Sequence, residues 1–171
     1  MVGPESSTIV TDRLELAPLT VADADAMVTV LADESMYLFT GGAPPTLTQL
    51  RERYRRLIVG RSDDGEELWF NWIVRLGDDH TPVGVMQATV AAHGSAAEVA
   101  WEVGVPWQQR GIASEAAGAV VAWLVDHGVD DIRACVHPGH DASGRVAARA
   151  GLVATAETID GEVVWRRPGE A

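Results

Sequence analysis

The sequence predicts a mixed α/β fold in one domain, a mixed sheet with helices packed on its faces. Strand-like segments alternate with segments at helical spacing along the whole chain. Of 171 residues, 47% are hydrophobic, enough for a substantial core. No internal repeat, low-complexity tract or linker divides the chain, so the expected domain is residues 1–171 with its core at about 9–166.

The elements follow in order. Ile9 to Ala17 sets Leu14 and Leu16 against Arg13 and Glu15, the alternation of a first strand. Thr20 with Asp23 resembles a capping box, opening a helix to about Leu31 with Met27, Val30 and Leu31 on one face. Ser35 to Pro45 reads as loop, because Gly41-Gly42 and Pro44-Pro45 break any helix. Leu47, Leu50, Tyr54, Leu57 and Ile58 keep helical spacing up to Gly60. Arg51, Arg53, Arg55, Arg56 and Arg61 decorate that helix; they read as a solvated face, with an anion or substrate contact as the alternative.

After the turn Asp63-Asp64-Gly65, Leu68 to Leu76 reads as a strand. Gly77-Asp78-Asp79 turns into the next strand, Pro82 to Ala91, making a hairpin. Ala96 to Val105 is a third strand, Ser114 to His127 a helix closed by Gly128, and Ile132 to Val136 a short strand. Ala142 to Ala150 is a helix closed by Gly151. Leu152 to Glu157 and Glu162 to Trp165, joined by Asp160-Gly161, form a terminal hairpin.

Composition narrows the function classes. The net charge is −12, and all 13 basic residues are Arg. An acidic surface argues against nonspecific nucleic-acid or anionic-membrane binding. No run of eighteen apolar residues exists, and Met1 to Thr8 lacks the segments of a secretory signal, so a cytoplasmic protein is expected. Cys135, the only cysteine, permits no intrachain disulfide, in keeping with a reducing compartment. Its mid-strand place reads as packing.

Chemistry concentrates between Glu98 and Ala119. A β-rich run stops at Pro106, a small-residue turn follows from Gln108 to Ala113, and Ser114 sits where a helix N-cap belongs. Such a strand-turn-helix is an anion site: unpaired backbone N–H groups point outward at the positive end of the helix dipole. Gly111 and Ala113 leave no bulk to hold a phosphate off the backbone. A phosphate-bearing ligand, held by main chain, is therefore expected.

Strand, Q/R-x-x-G-x-G/A turn and helix, in this element order, resemble the GNAT N-acetyltransferase superfamily. Gln108, Gly111 and Ala113 occupy the signature positions. HPGHDASGRVAARAGL, His137 to Leu152, resembles the later N-x-x-S…K-x-G-F segment of one branch, and TDRLELAPLT, Thr11 to Thr20, its first strand. That branch contains the ribosomal-protein N-terminal (alanine) acetyltransferases and many small-amine acetylases.

The resemblance implies acetyl transfer from acetyl-CoA to an amine without metal, on a mostly antiparallel sheet with a splayed strand pair and helices on both faces. The acceptor is a small molecule or a protein N-terminus. A homodimer is compatible, though no stretch compels one. The alternatives are transfer of a longer acyl group and a non-catalytic CoA-binding sensor or scaffold. The turn would hold the CoA pyrophosphate through Gln109, Arg110, Gly111, Ile112, Ala113 and Ser114, with Gln108 beside them. Val103 and Val105, split by Gly104 and stopped by Pro106, would offer a free edge to pantetheine at a bulge.

For the chemistry, Glu98 and Glu102 share one strand face. Glu102, nearer the bulge, is the first candidate for the proton acceptor and Glu98 the second, against surface or structural carboxylates. The tyrosine acid of many relatives falls on Ala147, and the only tyrosines, Tyr37 and Tyr54, lie far upstream. Ser143, matching the Ser of N-x-x-S, is the remaining donor to the CoA sulfur, unless it only caps its helix. His140 stands where the branch has Asn, and replaces one amide hydrogen bond but not both. His137 and His140 lack the cysteine pair or carboxylate set of a metal site. The tryptophans read mostly as core, with Trp69 and Trp72, or Tyr37 and Phe39, as alternatives for lining an acceptor pocket.

Overall fold

In a computed structural model describing residues 6–169, the alternation becomes one eight-stranded sheet. The strands are β1 (Ile9–Val10), β2 (Leu14–Pro18), β3 (Glu67–Leu76), β4 (Pro82–Ala91), β5 (Ala96–Val103), β6 (Asp131–Val136), β7 (Val153–Ile159) and β8 (Glu162–Arg166). Their order across the sheet is β1-β2-β3-β4-β5-β6-β8-β7. Neighbours are antiparallel except β5 and β6, which run parallel. The helices are α1 (Ala24–Val30), α2 (Leu47–Leu57), α3 (Ile112–Asp126) and α4 (Asp141–Arg149).

Period-two alternation in the strands decides which helix covers which face. Phe70, Trp72 and Val74 of β3, with Met86, Ala88 and Val99, point to the side where α3 lays down Ala116, Ala117, Val120 and Leu124. α4 adds Ala147 there. Two consecutive alanines bring the α3 backbone close to the sheet, and Trp123 fills the far end against Phe70 and Trp72. Each fully buried Leu, Phe or Val in this layer contributes about 1.5–3 kcal/mol. On the opposite face Ile73 meets Met27 and Leu31 beside α1, and Leu50 and Tyr54 of α2.

Several boundaries differ from expectation. The first strand is two, because Thr11 bonds Leu14 in both directions (Thr11 N to Leu14 O 2.9 Å, Leu14 N to Thr11 Oγ1 3.0 Å) and turns the chain at Asp12-Arg13. The Thr20–Asp23 capping box closes a 3-10 turn, Val21–Asp23, that leads into α1. Within the expected loop, Glu34–Tyr37 winds into a 3-10 turn, with Asp33 accepting from the Ser35 N–H at 2.9 Å. α3 begins two residues before Ser114, with Gly111 as its N-cap. The expected bulge is absent from β5, which pairs with β4 without a slip from Gly84↔Val103 to Val90↔Ala97; the nearby register shift lies between β3 and β4, where Val74 and Arg75 face Gly84 and Pro82 and leave Val83 of β4 over. The reading of Met1 to Thr8 lies partly outside the described residues.

Candidate functional site

The turn before α3 is built by left-handed backbone. Gln109 takes φ 60° and Gly111 φ 76°, ψ 5°. No side chain caps the helix, and the N–H groups from Gln109 to Ser114 find no partner among the described residues. Orphan donors at the positive end of a fifteen-residue helix have the geometry and partial charge that suit an anion. Ser114 is the third residue of the helix and contributes its backbone N–H rather than a capping hydroxyl.

A clasp from the other end of the chain braces this turn. The Glu115 carboxylate accepts from Thr11 Oγ1 (2.6 Å), Arg13 N (3.1 Å) and Arg13 Nε (2.6 Å), while Arg13 Nη1 donates to the Arg110 carbonyl at 2.9 Å. Burial pulls the Glu115 pKa up, but the bonds from Thr11 and Arg13 outweigh it and leave the group below its ordinary value. A β-carbon on Gly111 would come within 3.3 Å of Arg13 Nη2, so glycine meets a steric as well as a conformational demand.

Beside the turn the sheet opens. β5 and β6 share three rungs only, Ala96↔Asp131, Ala97↔Ile132 and Glu98↔Arg133. Beyond them β5 still pairs with β4, and β6 with β8, but the facing edges of β5 and β6 diverge. Val103, expected on the free edge, gives its carbonyl to Gln108 Nε2 at 2.9 Å; Val105 has already entered a 3-10 turn, Val105–Trp107.

The two candidate carboxylates occupy opposite ends of this wedge. Glu98 closes its vertex, ion-paired to Arg133 Nε at 3.0 Å, with Cys135 Sγ 3.8 Å from the same oxygen. Burial, and the Glu98 charge after it, raises the Cys135 thiol pKa, consistent with a packing role. Glu102 sits at the mouth without an ion pair among the described residues. Burial raises its pKa, and the Arg53 guanidinium opposes this from a distance longer than a salt bridge.

The tyrosines that looked remote in sequence converge here. Burial first, then the Glu102 charge, pushes up both Tyr37 and Tyr54. The Tyr37 hydroxyl donates to the Leu31 carbonyl at 2.8 Å, whereas the Tyr54 hydroxyl is buried without a partner among the described residues. Asn71 Nδ2, on a residue 6% exposed, is similarly unpaired. Asn71 and Gln87 are cross-strand partners two register rows beyond Ile73 and Val85, on the sheet face that carries Glu102. The sequence held a signal for Asn71, the one amide inside the apolar run Leu68 to Leu76. It held none for Tyr54, which keeps helical spacing like any core residue.

His140, rather than Ser143, caps α4: its Nδ1 accepts from the Ser143 N–H at 3.4 Å. Burial and the neighbouring His137 lower the His140 pKa, so the ring is neutral near pH 7. The Ser143 hydroxyl is half-buried and bonds nothing among the described residues. Phe39 stacks on His140 (centroids 4.5 Å apart, planes at 24°) and tilts against His137. With Tyr37 near Glu102, the Glu34–Tyr37 turn and its continuation thus straddle the mouth of the wedge. Trp72 is buried in the core beneath α3, which removes it from any pocket lining, and Ala147 is buried too. No group of three potential metal ligands exists among the described residues.

Comparison with known proteins follows the same outline. The family described as Acetyltransferase (GNAT) domain matches residues 13–153. RimL, the ribosomal L7/L12 alpha-N-protein acetyltransferase solved in complex with coenzyme A, superposes with TM-score 0.77 at 16% identity over 94% of this chain and 96% of that one. An acetyltransferase from Agrobacterium tumefaciens gives 0.75 at 23% identity over 96% and 95%. AAC(6')-Ib in complex with ribostamycin and coenzyme A gives 0.73 at 20% identity over 91% and 92%. No curated protein sequence shows a significant match. Among the described residues, no helix is long and apolar enough to cross a membrane.

Proposed function

Since this chain belongs to the GNAT acetyltransferase family, we propose that it is a single-domain N-acetyltransferase moving an acetyl group from acetyl-CoA to a primary amine. The observation that carries this reading is the adjacency of three features: unpaired N–H groups at the start of α3, the open wedge between β5 and β6, and half-buried Glu102 at its mouth.

The residues fit the cosubstrate part by part. The N–H groups of Gln109 to Ser114 suit a pyrophosphate, with the Arg110 side chain exposed beside them. The unpaired inner edge of β5 suits the amides of pantetheine, which lie along it as an added strand would. The neutral ring of His140 borders the β6 side. When bound, acetyl-CoA supplies the thioester.

The protein's own share is positioning and proton handling. A neutral amine forms its N–C bond as the C–S bond breaks. Glu102, held basic by burial, takes the proton that leaves the nitrogen, directly or through one water. The departing sulfur takes up a proton, and Ser143 is the hydroxyl proposed to donate it. Glu98, engaged by Arg133, fixes the vertex of the wedge and is the weaker candidate for the base. A protein N-terminus or a small amine both suit the mouth.

Calorimetric titration with acetyl-CoA, followed by a thiol assay for CoA release against a panel of amines and N-terminal peptides, tests the proposal. Saturable binding with acceptor-dependent release is expected. Binding without release for any acyl donor or acceptor would identify a CoA-binding module instead, and faster release from longer donors would reassign the acyl group.

A further inference from the structure

The arginines of α2 are not equivalent. Arg51 is tied to Asp25 at 2.6 Å, and Arg75, across the sheet, to Asp23. The side chains of Arg53, Arg55 and Arg56 have no ion pair and no hydrogen bond among the described residues. Arg53 and Arg56, three residues apart, lie on the same stripe of α2.

Both line one hollow. Gly42, Pro44 and Pro45 form one wall, and Gln49, Arg53 and Arg56 the other, at the three- and four-residue spacing of a single helix stripe. Its volume is about 520 Å³, the scale of small-ligand sites. Glu52 also lines it without pairing to either arginine, so the hollow keeps an excess of positive charge. Arg53 borders the hollow and also acts on Glu102, Tyr37 and Tyr54, so it joins the hollow to the mouth of the wedge. The Tyr54 hydroxyl, on a residue 2% exposed and without a partner among the described residues, feels the charges of both Glu102 and Arg53.

We infer that the acceptor is an amine carrying its own carboxylate: the ammonium end is drawn to Glu102 and the carboxylate end to Arg53 and Arg56. This rests on the acetyl-transfer reading above and specifies its substrate class. An arginine fork matches a carboxylate in two-point geometry, and two such donors on one stripe select an anion that an uncharged analogue cannot replace. Arg53 and Arg56 are thus specificity-determining residues, with no part in bond making.

The experiment compares matched acceptors by CoA release: glycine, β-alanine, 4-aminobutanoate and lysine, each against its carboxamide. An Asp-Ala and Ala-Ala peptide pair, both amidated at the C-terminus, separates a free acid from a carboxylate borne near a polypeptide N-terminus. Wild type is expected to favour at least one carboxylate over its uncharged partner by about 10- to 100-fold in kcat/KM. In the Arg53→Ala/Arg56→Ala double variant that ratio collapses towards unity, while Arg55→Ala, outside the hollow, preserves it. CoA release with wild-type ratios near unity or favouring the uncharged acceptors overturns the inference and leaves the acetyl-transfer reading standing. No release with any amine overturns both. The wild-type ratios decide the matter even if the double variant fails to fold.

Discussion

Replacing Glu115 by alanine removes the carboxylate that ties the first turn of α3 to the Thr11–Arg13 corner. Three hydrogen bonds disappear, from Thr11 Oγ1, Arg13 N and Arg13 Nε. The Arg13 side chain is 53% exposed, so its ion pair is worth at most about 1 kcal/mol. The Thr11 and Arg13 N–H bonds to a charged, better buried acceptor add about 1–1.5 kcal/mol together, and an acid near a helix N-terminus a few tenths more. The expected loss is about 2–3 kcal/mol, a Tm lower by roughly 5–10 °C for a chain of this length. Urea denaturation is the assay, with the midpoint falling and the slope unchanged. The folded pKa of Glu115 is lowered, so its stabilisation is present above the ordinary carboxylate range and fades as pH falls through that lowered value. The gap between wild type and variant must therefore close in acid. Glu115→Gln keeps the Thr11 and Arg13 N–H bonds and should lose less than half as much. A Glu115→Ala protein as stable as wild type at pH 7, or a gap that persists unchanged in strong acid, would show that the clasp contributes nothing.

Three further outcomes follow from the geometry. Glu102→Gln should lower kcat by about 10²–10³-fold and abolish the acidic limb of the rate profile, which in wild type lies above the ordinary carboxylate range because burial raises this pKa. The same change should stabilise the protein at neutral pH, since the stability linked to a raised carboxyl pKa is lost as pH rises through the folded value; an unshifted rate profile would remove Glu102 from the chemistry. Gly84→Ala would press a methyl group into the Glu102 carbonyl oxygen, so a loss of about 1–3 kcal/mol in urea titrations is expected, and a neutral result would mean that β4 and β5 yield there. Phe39→Ala should cost about 0.5–1.5 kcal/mol and speed amide exchange in the His137 to His140 loop, the other partner of the stack; unchanged exchange would show that the contact restrains nothing.

Much of the fold was legible because its signals are local. Alternation in Pro82 to Ala91 marks β4 to the residue, and the helical spacing of Leu47, Leu50, Tyr54 and Leu57 marks α2. Boundaries went astray where conformation depends on a partner far away. Gly111 enters α3 in a left-handed conformation beside Arg13, and no spacing rule near Ser114 carries that information. The turn from Gln108 to Ala113 was readable from its small residues, and the shared face of Glu98 and Glu102 from strand alternation. The company of Glu102 was not: Arg53 and Tyr54 reach it through the docking of α2 on the sheet face away from α3, and Tyr37 through the 3-10 turn before α2, tertiary choices with no signature of their own. A Tyr at core spacing and an Arg on a solvated stripe look alike whether or not a carboxylate faces them.

The parting of β5 from β6 has a consequence for solubility. Unsatisfied strand edges invite pairing with other chains, and most proteins keep such edges short, charged or covered at the rim of a sheet. Here two bare edges lie in the middle of a sheet, walled by α3 on one side and approached on the other past Phe39 and Tyr37. A slender extended ligand can enter such a slot end-on, whereas the flat flank of a neighbouring sheet cannot. The protein thereby keeps a strand-pairing surface open for use while presenting little of it to aggregation.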